Sequence, residues 1–353
     1  MVPDGVARGG WPGSVLVTGA AGFIGANLVR TLVDLGVEVT ALDNLSRPGS
    51  GANAEALRRE VGTGLRFLEA DVGDEAAVHG AVAGVDAIVH LAGQTAVTSA
   101  VADPRRDFLD NCVGTFHVLD AARRSVREPI VLYASTNKVY GPLDDLEVVE
   151  EPDRYRFADL DHGIDERRPV DLVSPYACSK GAGEQYVVDF ARTYGVRTVA
   201  FRQSCVYGSH QLGHEDQGWL AWFVAATAAD RPITIFGDGK QVRDLLHVSD
   251  LIACYGAAVA NIDRAAGRVY NVGGGPANAR SVWWQVREVL ESAFERPLPP
   301  PSFAAPRLGD QKVFVADCRK ARDELGWWPT VAADDGIRRL VEACRGAEVP
   351  GAR

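Results

Sequence analysis

Long hydrophobic runs are missing from this 353-residue chain. No apolar stretch reaches transmembrane length, and Met1–Gly13 lacks the hydrophobic segment of a signal peptide. Concentrated basic charge is missing too. The formal net charge is -10, and Arg123-Arg124 and Arg167-Arg168 are isolated pairs. Binding a polyanion needs a dense basic patch, so a nucleic-acid partner is not expected. The six cysteines, Cys112, Cys178, Cys205, Cys254, Cys318 and Cys344, contain no CxxC pair, which points away from a zinc site or a disulfide framework. Together these absences predict a cytoplasmic protein with neither membrane nor nucleic acid as partner. Gly, Pro and Trp in residues 1–13 predict a flexible leader.

What is present suits a sizeable core: 46% of residues are hydrophobic and 24% charged, in a chain long enough for one large domain and a smaller one. β-rich runs at Ser14–Thr18, Val37–Leu42, Leu65–Glu69, Asp86–His90, Ile130–Ala134 and Val196–Phe201 alternate with helical patterns at Phe23–Leu35, Asp74–Val82, Pro104–Val126 and Ser174–Tyr194. The alternation predicts an α/β fold, a doubly wound parallel sheet with helices on both faces. A main domain is expected over 14–202, and a smaller, interleaved C-terminal lobe over 203–353, with 241–260 returning to the main domain. Ile233–Ile235 and Arg268–Asn271 are expected to stand apart as strands of that lobe. The acidic stretch 143–170 is too long for an ordinary connection and reads as a surface flap or as a lid over a substrate.

Gly19-Ala-Ala-Gly22-Phe-Ile-Gly25 joins the first strand to the first helix. Glycines there let the backbone approach a pyrophosphate, while the helix N-terminus offers unpaired N–H groups and a positive dipole. A glycine cluster serving only helix packing is the competing reading. Asp43 follows at the end of the second strand, where a carboxylate accepts from adenosine ribose hydroxyls and repels a 2′-phosphate. That favours NAD over NADP, although Arg47 in the same loop suits the extra phosphate. Asp71-Val72, after the third strand, either faces the adenine ring or caps a helix. His90-Leu91-Ala92-Gly93 closes the fourth strand with small residues that admit a cofactor.

Ser174-Pro175 reads as an N-cap followed by a first-turn proline, so Tyr176 and Lys180, four apart, share one helix face. A phenol titrates near 10, too high for a base at neutrality. The Lys180 ammonium and a cationic nicotinamide ring favour its phenolate, and a drop of three requires roughly 4 kcal/mol. Thr136, ending the fifth strand, supplies a second hydroxyl. YxxxK recurs by chance; its weight here comes from following both a dinucleotide turn and a strand-end Ser135-Thr136. His210 and His214 have the spacing of helical metal ligands, but they lie in a glycine-rich loop with no evident third ligand, so no metal is expected.

These segments, with His90–Gln94, Ser135–Gly141, Ser174–Gly181, Asp216–Trp219, Gly237–Asp244 and Asp310–Val315, resemble the extended short-chain dehydrogenase/reductases of the NAD-dependent sugar-nucleotide epimerase/dehydratase family, over Ser14–Pro329. The resemblance implies a Rossmann-type NAD domain, a C-terminal lobe for the sugar nucleotide, and tightly bound NAD regenerated at each turnover. It implies cofactor contacts by Gly19, Gly22, Phe23, Ile24, Gly25, Asp43, Asn44, Ser46, Arg47, Asp71, Val72, Leu91, Ala92, Gly93, Gln94 and Asn111, with Tyr176 as base, Lys180 on the nicotinamide ribose and Thr136 on the sugar oxygen. Asn137 and Lys138 stand where the family's 4,6-dehydratases place Asp and Glu; without that acid and base, dehydration is disfavoured. The Asn-Lys pair and the Gln217-Gly-Trp219 stretch are instead similar to 2-epimerases of CDP-linked deoxysugars. This implies epimerisation at C2 through a 2-keto sugar; a UDP-hexose 4-epimerase, a 4-ketoreductase and a non-catalytic NAD(H)-binding scaffold are the alternatives. Substrate contacts are implied for Gln94, Thr136, Asn137, Lys138, Cys205, His210, Gln217, Trp219, Arg243, Arg307 and Asp310. Cys205 and His210 depart from the Asn or Ser and the Arg that relatives usually carry. Family members commonly pair the two helices Pro104–Val126 and Ser174–Tyr194 between subunits; both are more apolar than one buried stripe needs, so a homo-oligomer is expected.

Overall fold

Val15, Leu16 and Val17 are all fully buried although successive strand residues point to opposite faces. Such a strand needs cover on both sides, and it lies at the centre of a parallel sheet. The computed structural model describes residues 10–211, 213, 218–307 and 309–346. Seven strands form that sheet: β1 (Ser14–Thr18), β2 (Glu38–Asp43), β3 (Leu65–Glu69), β4 (Ala87–His90), β5 (Ile130–Thr136), β6 (Thr198–Gln203) and β7 (Arg268–Val272). Their order is β3-β2-β1-β4-β5-β6-β7, every neighbouring pair parallel. The doubly wound sheet expected from the sequence is present. Chain direction across the sheet reverses between β1 and β4, so a crevice opens beyond their carboxyl ends.

The two faces have separate cores. Val15 and Val17, Val89, Leu132 and Phe201 pack with Leu28 and Leu32 of the helix Phe23–Asp34 and with Leu251 and Tyr255 of the helix Val248–Ala260. Leu16, Ile88, Val131 and Tyr133 pack with Val118 and Leu119 of the helix Gly114–Arg124 and with Val187 and Phe190 of the helix Pro175–Tyr194. A third cluster, including Phe223, Ile235, Trp283, Leu290 and Ile337, forms the centre of the smaller lobe.

Several boundaries differ from the sequence expectations. Arg268–Val272 does not stand apart; it is the seventh strand of the main sheet, with Tyr270 opposite Phe201. Within 241–260, the helix Val248–Ala260 does return to the main sheet's face, but the strand Val242–His247 belongs to a second sheet with Cys205–Tyr207, Ala279–Ser281 and Val313–Phe314. The buried Asp244 carboxylate accepts the Gly275 and Ala316 N–H groups and fixes that second sheet. The leader is packed from at least Trp11, whose ring is buried against Gly256. The single helix expected over 104–126 is Pro104–Phe108, a π-turn at Leu109–Val113, and Gly114–Arg124.

Segment 143–170 is bonded to both parts of the chain. A hairpin, Val148–Glu150 with Tyr155–Phe157, is tied to the smaller lobe by Tyr155 N–H to Lys240 O, Lys240 Nζ to Glu150 and Gln285 Nε2 to Asp153. Ile164 then exchanges backbone bonds with Val315 and Asp317, and Glu166 accepts the Asn271 N–H of β7. The insertion straps the two lobes together. Among the described residues, no helix is long and apolar enough to cross a membrane.

Candidate active site

A cleft of about 550 Å³ opens at the carboxyl ends of β1, β2, β4 and β5. Its floor is the glycine turn. Gly19 has φ +69°, and a Cβ there would lie 2.7 Å from the Ala92 nitrogen; a Cβ on Gly25 would lie 2.2 Å from the Gly19 carbonyl oxygen. Only glycine permits this close approach, and it leaves the helix N-terminus bare for a pyrophosphate. Phe23, Ile24, Leu91, Ala92 and Gly93 line the same cleft. This cradle fits a dinucleotide.

Asp43 accepts the Ala21 N–H and the Leu45 N–H, both at 2.9 Å. Burial raises its carboxyl above the usual range, against those bonds and the Arg47 charge. Asn44 orders the loop, accepting from Ser46 and donating to Asp71 at 2.8 Å. Arg47 crosses to Thr95, 2.8 Å away. Asp71 and Val72 both line the cleft, Asp71 accepting from Arg106 and Gly73 and Val72 packing against Gly114. Asp71 is not the cap of the following helix; Asp74 caps it. Gln94 lines the cleft with its amide turned back on Ala96.

Ser174 caps the helix Pro175–Tyr194 through the Ala177 N–H, as expected, and Tyr176 and Lys180 enter the cleft from one face of it. Thr136 stands beside Tyr176, near enough for its hydroxyl to favour the phenolate. Burial pushes the Tyr176 phenol up to about 12; the Thr136 hydroxyl opposes this, Asp107 adds to it and Arg47 opposes it. Lys180 donates to Ala134 O at 2.9 Å, and burial brings its amine down to about 8 against the pull of Asp107. Burial dominates at the phenol, and Arg47 is the cation that opposes it. Asn111, in the π-turn, donates to Asp107 at 3.0 Å and to Ser179 at 3.1 Å, while its buried Oδ1 faces Gly93 without a partner.

A second group of charged side chains sits where the smaller lobe meets β5. Arg243 Nη2 is 2.6 Å from Asp310 Oδ1, and Lys138 Nζ is 3.8 Å from the same oxygen. Burial acts against the Asp310 charge, but Arg243 and Lys138 outweigh it and hold the carboxyl below its usual range. Lys138 is brought down to about 8 by burial and Arg243. Burial pushes the Cys205 thiol up to about 11, even with Arg243 and a Trp219 hydrogen bond opposing. Asn137 donates to Gln311 at 3.3 Å. Arg307 stacks on Phe236 at 4.1 Å, and its carbonyl accepts from the Asp310 N–H.

His210 stands at the edge of the same cleft. It lines the dinucleotide cleft beside Arg30 and Glu60, because the loop after Gly208 turns toward the helix Phe23–Asp34, where Asn27 holds the Ser209 carbonyl. Gln217 and His214 lie outside the described residues. Sequence reasoning missed a buried network behind Ser135: its hydroxyl donates to Glu184, which pairs with Arg202, which donates to Tyr140. Glu184 continues the Tyr176, Lys180 face at the next i+4 step, a signal that was legible.

The model of the NAD dependent epimerase/dehydratase family matches residues 15–273. The chain is 37% identical over 335 residues to a CDP-paratose 2-epimerase from Salmonella typhi, covering 93% of this chain and 98% of that protein. It is 35% identical to a UDP-glucose 4-epimerase from Mycolicibacterium smegmatis, over 94% and 98% respectively. The solved structure of Thermus thermophilus UDP-glucose 4-epimerase in complex with NAD superposes with a TM-score of 0.78 at 31% identity, covering 95% of this chain and 99% of that one. With a glycine cradle, a paired tyrosine and threonine, and a lysine four residues on, the chain belongs to the NAD dependent epimerase/dehydratase family, as an enzyme whose cofactor is NAD.

Proposed function

We propose that the protein epimerises a nucleotide-linked sugar at C2, with CDP-paratose or a closely related CDP-deoxysugar as substrate. One observation carries the reading: Tyr176 lines the cofactor cleft with Thr136 beside it, and Asn137 and Lys138 follow Thr136 directly. An amide cannot serve as acid or base for loss of water, and Asp310, the carboxylate facing Lys138, is held ionised by Arg243 and Lys138 and has no proton to give. The full-length similarity to the Salmonella typhi enzyme supports the same choice.

NAD supplies a hydride acceptor and, once reduced, a donor at the sugar carbon. Tyr176 takes the proton of the sugar hydroxyl and returns it when the alcohol re-forms. Thr136 donates its one hydroxyl hydrogen to the sugar oxygen, or to the phenolate when no sugar is bound, stabilising the charge that forms there. Lys180 holds the nicotinamide ribose from its place one helical turn after Tyr176. Asp43 receives the adenosine ribose, and Arg47 closes over it. Arg243, with Lys138, Trp219 and Cys205 around it, anchors the nucleotide diphosphate; a guanidinium fork suits phosphate oxygens. Because the keto sugar regains its hydrogen on either face, no net redox change results.

The test uses substrate deuterated at C2 or at C4. A primary isotope effect with the C2 label alone is expected. An effect confined to C4 would replace this reading with a 4-epimerase or 4-ketoreductase.

The active unit in this reading is a homo-oligomer in the cytoplasm. Phe108 and Phe116 on one helical segment and Tyr186 and Tyr194 on the adjacent helix are exposed, with Phe116 and Tyr186 in edge contact at 5.9 Å. Exposed aromatic rings on two neighbouring helices fit a second copy of the chain.

A further inference from the structure

The turn Asn137–Tyr140 leaves β5 immediately after Thr136. It is pinned at three points: the Lys138 N–H donates to Thr136 Oγ1 at 3.2 Å, Asn137 Nδ2 to Gln311 Oε1 at 3.3 Å, and Gln311 Nε2 to Gly141 O at 2.7 Å. Lys138 is therefore fixed relative to the hydroxyl that partners Tyr176. Its amine and the Arg243 guanidinium converge on one carboxylate oxygen, Asp310 Oδ1. Two cations focused on a single anionic oxygen describe a site that accepts a phosphate oxygen equally well. Asp310 neutralises one of them and Cys205 stays a neutral thiol, so the group keeps a net positive charge for a dianionic diphosphate.

We propose that Lys138 selects the reacting carbon: with Arg243 it draws the substrate diphosphate close to the Thr136–Tyr176 pair, so that C2 rather than C4 meets the base. The inference rests on the C2 reading above. In a nucleotide sugar the diphosphate is attached at C1. C2 is bonded to that carbon, whereas C4 lies across the ring. A cation two residues from the positioning hydroxyl shortens the path from phosphate to reacting alcohol, and a short path fits C2. A carboxylate at position 138 would repel the diphosphate from this place. Lys138 touches the phosphate and not the reacting atoms; it is a positioning and specificity residue.

The test compares wild type with Lys138→Met, Lys138→Gln and Lys138→Arg as NAD-loaded enzymes. CDP affinity is measured by calorimetry, and turnover is measured on C2- and C4-deuterated sugar nucleotide. Losing one charge-assisted bond weakens CDP about tenfold to a hundredfold. In Met and Gln the ratio of C2 to C4 oxidation falls by a similar factor, while Arg restores the affinity. Retention of CDP affinity in both uncharged variants, or an unchanged C2-to-C4 ratio, overturns the inference. A wild-type isotope effect at C4 overturns the proposed function itself, whereas an effect at C2 with silent Lys138 variants overturns only this assignment.

Discussion

Tyr176 should titrate far above neutrality in protein stripped of NAD and fall once NAD⁺ binds. Its phenol is pushed up to about 12, chiefly by burial. At pH 7 that makes ionisation cost about 7 kcal/mol, since a factor of ten corresponds to 1.36 kcal/mol. No proton-transfer step run on such a base would be fast. A positive charge in contact with the phenol, at an effective dielectric near 20, contributes about 4 kcal/mol. It brings the phenol to about 9 and leaves about 3 kcal/mol at neutrality. Burial has also brought the Lys180 amine down to about 8, so rising pH withdraws that charge from the cleft as it ionises the base. The assay is tyrosinate difference absorbance, wild type minus Tyr176→Phe, with and without NAD⁺. The Tyr176 band should appear near pH 9 with the cofactor and stay absent below about pH 11 without it. On the acid side, kcat/KM should climb tenfold per pH step toward the same value. A Tyr176 phenolate already present near pH 7 in NAD-free protein would refute the burial argument.

Three further outcomes follow from the packing. Gly25→Ala drives a Cβ to 2.2 Å from the Gly19 carbonyl, a backbone atom with nowhere to move, so the variant should purify without NAD; full cofactor occupancy by chromatography after denaturation would contradict this. Arg202→Met leaves the Glu184 carboxylate buried beside Ser135 without its bidentate partner and should lower stability by about 3–5 kcal/mol in urea unfolding. A loss below about 1 kcal/mol would mean the charge finds water or a proton easily. Phe116→Lys with Tyr186→Lys should dissociate the oligomer in light scattering while leaving the circular dichroism spectrum intact; an unchanged mass would place the interface elsewhere.

How much of this was legible depended on whether the signal was local. The glycine turn could be read because a left-handed Gly19 and a contact too close for any Cβ exclude other residues there. The inner strands could be read because burial on both faces removes polar residues from them. β7 could not: Arg268–Val272 carries a strand pattern, but its partner Thr198–Gln203 lies some way back along the chain, and pairing leaves no mark within a short segment. The π-turn at Leu109–Val113 was hidden for a different reason, since one widened turn hardly disturbs an apolar period, although it sets Asn111 against Asp107 and Ser179.

The charged group at the smaller lobe shows the limit most clearly. Lys138, Arg243 and Asp310 come from three distant segments, and each alone reads as an ordinary surface charge. Resemblance could nominate them one at a time, but only the fold puts Lys138 and Arg243 on one oxygen of Asp310. The same separation limits what the motif says about Tyr176. Spacing along a helix places Lys180 beside it, but the strength of that cation depends on burial, and the amine is held by the Ala134 carbonyl of β5. A motif fixes which groups meet; how acidic they become is set by the dielectric around them, which depends on residues scattered through the whole chain.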